Sequence, residues 1–357
     1  MTVLQVCAFA APNGGNFIAS LTHLENRLKE LGIDTIYAFA DGAEGKPWCR
    51  EIQKRTKVYF LPTAKARILP KTYQIFRQIY RENDISIMHS HFELYDMPAT
   101  VMAPKGTKIF WHLHDPIDFR ATNRKILWKI QYAVVGKKAQ LLSVADKYKE
   151  DVISIGFPRE QTRTILNGID LNRIQPLPLQ ADRPEKVFLT FGWDFLRKGS
   201  DLITDACGKL AAEGYAFKLI LNGNENTWHT LDAYLQGASP VWLIRGEPVN
   251  DINLLYGKAD LFIQASRRET FSYAVCEAAY AGLPVVCSDI SGLEWAHELP
   301  SVDFFPAEDF TALYQKLKIF LDGKQLSATQ REQSRRIVEE KYSLNSWAGK
   351  IIGAYGI

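Results

Sequence analysis

A short stretch in the second half of the chain, Leu261–Asp289, combines two carboxylates with a helix start. A strand candidate precedes a loop that holds Glu269, and a helix starting near Phe271 carries Glu277 and ends at Gly282. The first turn of a helix has N–H groups without helical partners and about half a unit of positive charge, which suits a phosphate. A carboxylate beside that phosphate fits if it accepts hydrogen bonds from sugar hydroxyls. The alternative is a solvated Glu269 and a salt-bridged Glu277, and the residues alone leave both open.

The elements that would position these side chains follow from the hydrophobic pattern. Short β-branched and aromatic runs alternate with amphipathic segments, which is typical of parallel βαβ units. The sequence therefore predicts a doubly wound α/β fold, in which ligands bind beyond the carboxyl ends of strands. The strand candidates are Val3–Ala10, Thr35–Ala40, Val58–Leu61, Ile85–Ser90, Lys108–His112, Gln140–Val144, Thr164–Leu166, Val187–Phe191, Phe217–Leu221, Val241–Ile244, Leu261–Gln264, Pro284–Cys287 and Asp303–Phe305.

The chain of 357 residues is long enough for two domains. Residues 174–186 contain three prolines and no periodicity, which predicts a linker. The predicted domains are 1–175 and 186–340, each with its own Rossmann-like sheet, and a terminal helix at 341–357 packs toward the first domain. We expect a cleft between two such domains.

The pair Glu269 and Glu277, followed by Ala-x-x-x-Gly-Leu-Pro-Val-Val, resembles the E-x7-E motif of glycosyltransferase family 4. Further segments resemble motifs of that family in the same order along almost the whole chain. They are Gly14-Gly15, 167–170 (NGID), 191–199 (FGWDFLRKG), Gly223, Gly246 and 291–294 (SGLE). The resemblance implies a GT-B fold, in which two Rossmann-like domains face each other across a cleft, and a retaining glycosyltransferase.

The resemblance also implies roles for residues at matching positions. The catalytic residues would be Lys198, which stabilises the charge that develops on the donor diphosphate, Glu269, which holds hydroxyls of the donor sugar, and His114. Glu277 would accept hydrogen bonds from the ribose. The nucleotide-sugar site would comprise Gly14, Gly15, Arg197, Lys198, Gly246, Glu269, Thr270, Phe271, Ser272 and Glu277. The alternatives are a surface lysine at Lys198 and a structural histidine at His114.

Two departures from the family pattern concern this site. Trp193 stands where the family commonly has arginine, and Arg197 is a candidate for the missing cation. The family's Glu-Gly-Phe-Gly is here Glu269-Thr-Phe-Ser272, so glycines have been replaced by small hydroxyl residues that can form hydrogen bonds instead. These changes leave the identity of the sugar open.

Four of the seven histidines occur in two pairs, His89 with His91 and His112 with His114, at the ends of neighbouring strand candidates. A zinc site is one interpretation, but no carboxylate or cysteine pattern accompanies them. We therefore predict no metal site. We also expect no cofactor and no metal at the donor site, because Lys198 and the helix start would neutralise the diphosphate.

The segment Arg124–Lys138 places Ile126, Leu127, Ile130 and Val134 at helical spacing, with cations at both ends. A basic amphipathic helix containing a tryptophan can lie on an anionic membrane. The alternative is a helix that covers the sheet and has solvated ends. A glycan or lipid-linked acceptor would suit peripheral membrane contact through residues 124–138.

Composition excludes several classes of protein. The net charge of +3 is too small to indicate a nucleic-acid partner, and no apolar run is long enough for a spanning helix. The loop at 11–16 lacks the G-x-G-x-x-G spacing of nicotinamide dehydrogenases. The five cysteines, at positions 7, 49, 207, 276 and 287, show no paired spacing, which predicts buried free thiols and a cytoplasmic protein, with membrane association as a further expectation.

The predicted function is retaining transfer of a hexose or N-acetylhexosamine from a nucleotide-diphosphate sugar, with UDP preferred, to a glycan, lipid-linked or protein acceptor. One alternative is a non-catalytic GT-B partner subunit that binds glycan or protein. Another is a sugar-nucleotide epimerase or phosphorylase of the same fold. The residues do not identify the sugar, the acceptor or the linkage.

Overall fold

The computed structural model describes residues 1–115, 128–178 and 185–357. These residues form two compact units. The first comprises Met1–Gly168 together with Leu344–Ile357, and the second comprises Ile169–Ser343. The first unit thus ends seven residues before the predicted limit at 175 and includes the terminal helix. Part of the predicted linker, 179–184, lies outside the described residues.

The first unit contains a parallel sheet of seven described strands in the order β3-β2-β1-β4-β5-β6-β7. At its centre, β1 and β4 bury almost every side chain, including the polar Gln5, His89, Ser90 and His91. The strands are β1 (Thr2–Cys7), β2 (Asp34–Ala40), β3 (Val58–Leu61), β4 (Ile85–His91), β5 (Lys108–Leu113), β6 (Gln140–Ser143) and β7 (Thr162–Thr164).

The second unit contains a parallel sheet of six described strands in the order β10-β9-β8-β11-β12-β13. They are β8 (Lys186–Phe191), β9 (Phe217–Asn222), β10 (Leu243–Gly246), β11 (Leu261–Gln264), β12 (Val285–Asp289) and β13 (Val302–Pro306). Each predicted strand has a counterpart in one of the two sheets, and the ends differ by a few residues.

Helices connect these strands, as expected for parallel sheets. Those of the described residues are α1 (Gly15–Glu30), α2 (Pro47–Gln53), α3 (Pro70–Glu82), α4 (Asp96–Met102), α5 (Asp146–Ser154), α6 (Ser200–Ala212), α7 (Glu225–Tyr234), α8 (Asn253–Tyr256), α9 (Tyr273–Ala281), α10 (Phe310–Leu321), α11 (Ala328–Tyr342) and α12 (Leu344–Tyr355). A π-helical turn, Ile130–Val134, continues into a 3-10 turn, Val135–Lys138. None of the helices in the described ranges is long and apolar enough to cross a bilayer.

The last helix, α12, belongs to the core of the first unit. Trp347, Ile351 and Tyr355 are buried against residues that include Val3 and Leu24. All five cysteines are buried and free, as predicted. Burial of apolar surface contributes about 25 cal/mol per Å², so α12 stabilises the first sheet. It does so although the 175 residues of the second unit separate it in sequence from the rest of the first unit.

Candidate active site

The order of the second sheet reverses at its centre, where β8 and β11 are neighbours. Ligands of doubly wound sheets bind at the carboxyl ends of strands beside such a reversal. The loop after β8 carries Lys198, and the loop after β11 carries Glu269. The Arg267 N–H donates to the Arg197 carbonyl at 2.8 Å and joins the two loops. The topology therefore brings two of the three predicted catalytic side chains, Lys198 and Glu269, to one place.

The Glu269 carboxylate is held by an ion pair and two neutral donors. Its Oε1 lies 2.6 Å from Lys198 Nζ, and it also accepts hydrogen bonds from Gln264 Nε2 at 2.9 Å and Ser266 Oγ at 2.8 Å. Arg197 Nη1 lies 3.6 Å from the same oxygen. The side chain of Glu269 is only 8% exposed, and a carboxylate so buried is tolerated because it is paired and hydrogen-bonded. Lys198 and Glu269 are thus fixed with respect to each other.

Two glycines allow the loops around Glu269 to approach closely. A Cβ on Gly199 would lie 2.0 Å from the Ala265 carbonyl oxygen, and one on Gly292 would lie 2.3 Å from the Glu269 carbonyl oxygen. Both glycines also have positive φ, +66° and +95°, which other residues rarely adopt. Two glycines that match the family motifs therefore have a packing reason in this chain.

The start of helix α9 has a distinct backbone geometry. Ser272 precedes the helix with φ +56°, and its buried Oγ has no hydrogen-bond partner among the described residues. Phe271 is fully buried and stacks on Trp295, with ring centroids 4.7 Å apart, and the Trp295 indole N–H donates to the Phe271 carbonyl at 2.9 Å. Thr270, which precedes it, is partly buried. The packing holds the first turn of α9 in place and leaves the buried Ser272 hydroxyl without a hydrogen-bond partner among the described residues.

Replacement of Ser272 by glycine should raise the free energy of unfolding by about 0.5–1 kcal/mol, measured by urea denaturation. A side chain in the left-handed region destabilises the fold by about 1–2 kcal/mol, and glycine relieves this strain. The greater freedom of glycine in the unfolded chain reduces that gain by about 0.4–1 kcal/mol. If the Oγ binds the donor diphosphate, nucleotide affinity should fall about 2–10-fold in the same variant. The matched control is Gln236→Gly, at an exposed residue with φ +50°, which should gain similar stability with unchanged affinity. Equal affinities in Ser272→Gly and wild type would exclude the hydroxyl as a ligand.

Glu277 lies one turn into α9 and is 8% exposed. The Tyr256 hydroxyl donates to its Oε2 at 3.1 Å. Burial and the Glu277 carboxylate raise the pKa of Tyr256 well above its usual value, so the phenol stays protonated and remains a donor. This contact orients the carboxylate that the family resemblance assigns to the ribose.

The other predicted donor-site residues fall at strand and helix ends. Gly246 is the last residue of β10, and Arg197 forms an ion pair with Asp194 at 2.9 Å. Trp193, which replaces the common arginine, is 47% exposed. In the first unit, Gly14 precedes α1, and Gly15 begins it with φ +54°. The structure therefore brings Arg197 and Lys198 to Glu269, leaves Gly246 at the end of the edge strand β10, and places Gly14 and Gly15 beyond the end of β1.

The four paired histidines form one cluster at the carboxyl ends of β4 and β5. His89, His91 and His112 are buried, and His114 is partly exposed. The His91 and His114 rings are joined by a hydrogen bond of 3.0 Å between Nδ1 and Nε2. The His112 and His114 rings stack with centroids 4.1 Å apart. The predicted active-site histidine thus lies at the exposed edge of a buried imidazole cluster.

Burial keeps this cluster uncharged. Desolvation lowers the pKa of His89 and of His114 to about 3. Electrostatic repulsion from His114 also lowers the pKa of His89. Desolvation, together with the other imidazoles of the cluster, lowers the pKa of His91 and His112 well below the usual value. All four rings are therefore neutral at pH 7 and have lone pairs that can accept hydrogen bonds.

A metal ion was one interpretation of these histidines. Ring nitrogens of His89, His91 and His112 lie within 4.8 Å of one another, a spacing that could hold an ion. However, both ring nitrogens of His91 already form hydrogen bonds, to His114 and to Gln5. The stacked rings of His89 and His112 have planes 6° apart and centroids 5.3 Å apart, so lone pairs in those planes do not meet at one ion unless a ring turns. Hydrogen bonding accounts for the positions of His91 and His114, whereas both ring nitrogens of His112 have no hydrogen-bond partner among the described residues.

Several residues of these sites carry no signal in the sequence. Gln264 and Ser266, which bind Glu269, lie at the end of β11 among apolar neighbours. Asp96 is also unexpected as a buried acid: burial raises its pKa to about 8, although Ser90 Oγ donates to it at 2.5 Å. A polar residue at an otherwise apolar strand position is the one feature that could have indicated Gln264.

The proposed membrane segment differs from expectation where it is described. Residues 124–127 lie outside the described part. Ile130 and Val134 are exposed, by 44% and 62%, whereas Trp128 and Tyr132 are buried. The predicted apolar stripe was based on α-helical spacing, which does not apply to the π-helical and 3-10 turns found here. The tryptophan expected at a membrane instead packs under Arg67, whose Cζ lies 4.3 Å from the indole centroid.

Comparison with known proteins adds to this geometry. A family model described as Glycosyltransferase Family 4 matches residues 19–173, and one described as Glycosyl transferases group 1 matches residues 185–322. The chain is 26% identical over 218 residues to WcaL of Escherichia coli K12, named for glycosyl transfer in colanic acid biosynthesis, and 25% identical over 252 residues to the uncharacterized glycosyltransferase MJ1607 of Methanocaldococcus jannaschii. These matches cover 57% and 65% of this chain but 53% and 64% of the relatives, so the chain spans less than two thirds of either. A GDP-mannose:cellobiosyl-diphosphopolyprenol alpha-mannosyltransferase of Komagataeibacter xylinus is 22% identical over 82% of this chain and 76% of its own.

Solved structures share the fold. A glycosyltransferase from Rickettsia africae ESF-5 superposes with a TM-score of 0.81 at 18% identity, covering 99% of this chain and 97% of its own. The Anabaena protein HepE, solved in complex with UDP and glucose, superposes with a TM-score of 0.77 at 15% identity, covering 100% and 99%. Two Rossmann-like units and these neighbours confirm the predicted GT-B α/β fold. With both units matched by family models, the chain belongs to glycosyltransferase family 4.

Proposed function

We propose that this protein transfers a hexose or N-acetylhexosamine from a nucleotide-diphosphate sugar to an acceptor, with retention of the anomeric configuration. The observation that carries the proposal is the ion pair between Lys198 and Glu269, 2.6 Å apart at the reversal point of the second sheet. It places a cation and a hydrogen-bonding carboxylate side by side. A diphosphate and a hydroxylated sugar need these two groups at adjacent positions.

The proposed reaction breaks the bond between the sugar C1 and the diphosphate oxygen. The acceptor oxygen bonds to C1 on the same face, and its proton goes to the leaving diphosphate. Lys198, Arg197 and the first turn of α9 would stabilise the negative charge that grows on the diphosphate, since fixed cations and dipoles act strongly in a water-poor site. Because these groups supply the positive charge, we propose that transfer needs neither a metal nor a cofactor.

Glu269 would bind the donor sugar rather than act as a nucleophile. Its Oε1 already accepts from Lys198, Gln264 and Ser266, and these contacts leave the carboxylate in one orientation. Such a fixed acceptor can position sugar hydroxyls, and correct positioning lowers the barrier to transfer. Glu277, oriented by Tyr256, would accept from the ribose hydroxyls.

The donor base is proposed to be uracil, so that the donor is a UDP sugar. HepE is solved with UDP and glucose, whereas the Komagataeibacter xylinus relative is named for GDP-mannose, so the comparisons contain both bases. The same relative is named for a diphosphopolyprenol acceptor, which favours a glycan or lipid-linked acceptor here. Exposed Ile130 and Val134, with Lys129, Lys137 and Lys138 nearby in the chain, would provide peripheral contact with an anionic membrane.

One observation favours a second candidate, a non-catalytic partner subunit. Trp193 stands at the position where the family commonly has arginine, and its side chain is 47% exposed. A subunit that only recognises a glycan would not need the missing cation. The ion pair of Lys198 with Glu269 favours the enzyme, because a non-catalytic protein has no need to maintain a buried charge pair.

Thermal-shift and calorimetric titration with UDP-, GDP- and ADP-sugars tests the proposal. We expect one nucleotide to bind wild type, and binding to fall at least tenfold in Lys198→Ala and Glu277→Ala. Glu225→Ala, whose side chain is 91% exposed on α7, is the matched control and should bind normally. NMR of the anomeric signal would then identify retention or inversion, and turnover in EDTA would test metal independence. A folded wild-type protein that binds none of the nucleotides would favour the non-catalytic subunit.

A further inference from the structure

A line of polar side chains runs through the first unit from Tyr355 to the partly exposed His114. His114 Nε2 lies 3.0 Å from His91 Nδ1, and His91 Nε2 lies 2.8 Å from Gln5 Oε1. On the other side, Gln5 Nε2 donates to the Tyr355 hydroxyl at 3.3 Å, and that hydroxyl lies 2.6 Å from His89 Nδ1. Every member except His114 is at most 1% exposed, so water does not compete for these hydrogen bonds.

The chemistry of each atom gives this line one direction. Gln5 Oε1 can only accept, so His91 carries its proton on Nε2. His91 is neutral because burial lowers its pKa, and its Nδ1 is therefore an acceptor. The proton in the 3.0 Å contact must then come from His114, which carries it on Nε2. The Nδ1 atom of His114 is left with a lone pair.

The contacts of Tyr355 with Gln5 and His89 are consistent with the same orientation of the Gln5 amide. With Oε1 toward His91, the amide N–H₂ faces Tyr355 and donates to its oxygen. The Tyr355 proton is then available to His89 Nδ1. If the amide were turned over, every hydrogen bond in the line would reverse, and His114 would carry its proton on Nδ1 instead. The two directions are thus mutually exclusive, and the amide of Gln5 selects between them.

We infer that Gln5 and His91 act as positioning residues that hold His114 in the Nε2–H tautomer, so that its Nδ1 can bind only a ligand that donates a hydrogen bond. A sugar hydroxyl meets this condition, whereas a diphosphate oxygen does not. The tautomer follows from the first unit alone. The identity of the ligand rests on the proposed function.

NMR of the full chain labelled with 15N-histidine tests the tautomer directly. Long-range proton–nitrogen spectra at pH 7 should assign Nε2–H to both His91 and His114, and a scalar coupling across the hydrogen bond should connect His114 Nε2 with His91 Nδ1. A proton on Nδ1 of either ring would overturn the inference, because the line would then run the other way. Metal found by elemental analysis at one equivalent, and lost in His91→Asn, would also overturn it.

Three variants separate positioning from a general structural role. Gln5→Met removes the acceptor at similar length and should give a mixture of Nε2–H and Nδ1–H at His114, because either ring can then donate in the His91–His114 hydrogen bond. Gln5→Glu keeps an acceptor oxygen and should retain Nε2–H at His114. Tyr355→Phe removes only the Tyr355 contact and should alter His89 while His114 keeps Nε2–H. A mixture of tautomers in all three variants would contradict the specific role of Gln5. If Gln5→Met does not fold, the wild-type spectra still decide the direction of the line.

Fluorinated substrates test the ligand. Fluorine can replace a hydroxyl as an acceptor but cannot donate, so one deoxyfluoro sugar should lose about tenfold in kcat/KM with wild type. In Gln5→Met, where His114 is free to change tautomer, that discrimination should shrink several-fold. Discrimination that is identical in wild type and Gln5→Met would reject the inference. Spectra that give Nε2–H with no turnover of any donor would instead reject the proposed function and leave the tautomer assignment standing.

Discussion

Lys198→Ala is expected to lower kcat about 10²–10³-fold, measured as initial rates at saturating donor. The ammonium group lies beside Glu269 at the reversal point of the second sheet, where a bound diphosphate would gain negative charge as its bond to the sugar breaks. Removing one preorganised group that stabilises developing charge typically costs about 2.7–4 kcal/mol of barrier height. The side chain is 16% exposed, so water replaces it poorly.

Controls distinguish this loss from unfolding. Lys198→Ala leaves Glu269 with Gln264 and Ser266 as donors, and we expect the free energy of unfolding to fall by only about 1–3 kcal/mol. Lys324→Ala, at a side chain 63% exposed in the same unit, should keep wild-type activity. A folded Lys198→Ala enzyme within fivefold of the wild-type kcat would contradict the proposed role.

Glu269→Gln should complement this result. The amide keeps the shape of the side chain but removes its charge, so we expect weaker binding of the nucleotide sugar and little change for the free nucleoside diphosphate. Lys198→Ala should weaken both, because its proposed partner is the diphosphate. Calorimetric titration with the nucleotide sugar and with the free nucleoside diphosphate measures the two affinities. Equal losses of affinity for both ligands in Glu269→Gln would contradict a contact between Glu269 and the sugar.

Much of the fold could be predicted because buried parallel strands appear in the sequence as short apolar runs. Runs such as Val58–Leu61 and Leu261–Gln264 are apolar and short, and their predicted limits coincide with the observed strands. The end of α9 could also be predicted, because glycine often terminates a helix. Gly282 does so here with φ +95°. The loops with Lys198 and Glu269 follow strands that the pattern identified, so their meeting at the sheet edge follows from topology.

Contacts between distant residues could not be predicted. Gln5 and Tyr355 are 350 positions apart, and neither is part of a motif, yet together they fix the hydrogen bonds of the histidine cluster. The segment 130–138 shows another limit: its spacing suggested an α-helix, but the structure has π-helical and 3-10 turns there. Ile130 and Val134 are exposed, while Trp128 and Tyr132 are buried. Local pattern does not encode which face the rest of the unit will cover.

The histidine cluster should make the protein acid-labile between pH 6.5 and about 4. Unfolded histidines titrate near pH 6.5, but burial lowers the pKa of His89 and His114 to about 3 and that of His91 and His112 well below the usual value. Below pH 6.5 the unfolded state therefore binds more protons than the folded state. As the pH is lowered, the free energy of unfolding decreases by about 1.4 kcal/mol per pH unit for each ring. Urea denaturation at pH 7, 6 and 5 should show a steep decline.

Asp96 acts in the opposite direction over the same range. Its pKa is raised to about 8 by burial, so unfolding releases its proton between about pH 4 and 8, and this contribution to stability is lost as pH rises. Four rings against one carboxyl leave a net uptake of about three protons on unfolding near pH 5.5.

His112→Phe, at a ring with no hydrogen-bond partner among the described residues, should lower this uptake by about one proton. Asp96→Asn should raise it by about one, because the opposing carboxyl is gone. The pH dependence of the unfolding free energy measures both numbers, and a wild-type slope near zero between pH 5 and 6.5 would mean that the cluster is already protonated or hydrated in the folded chain.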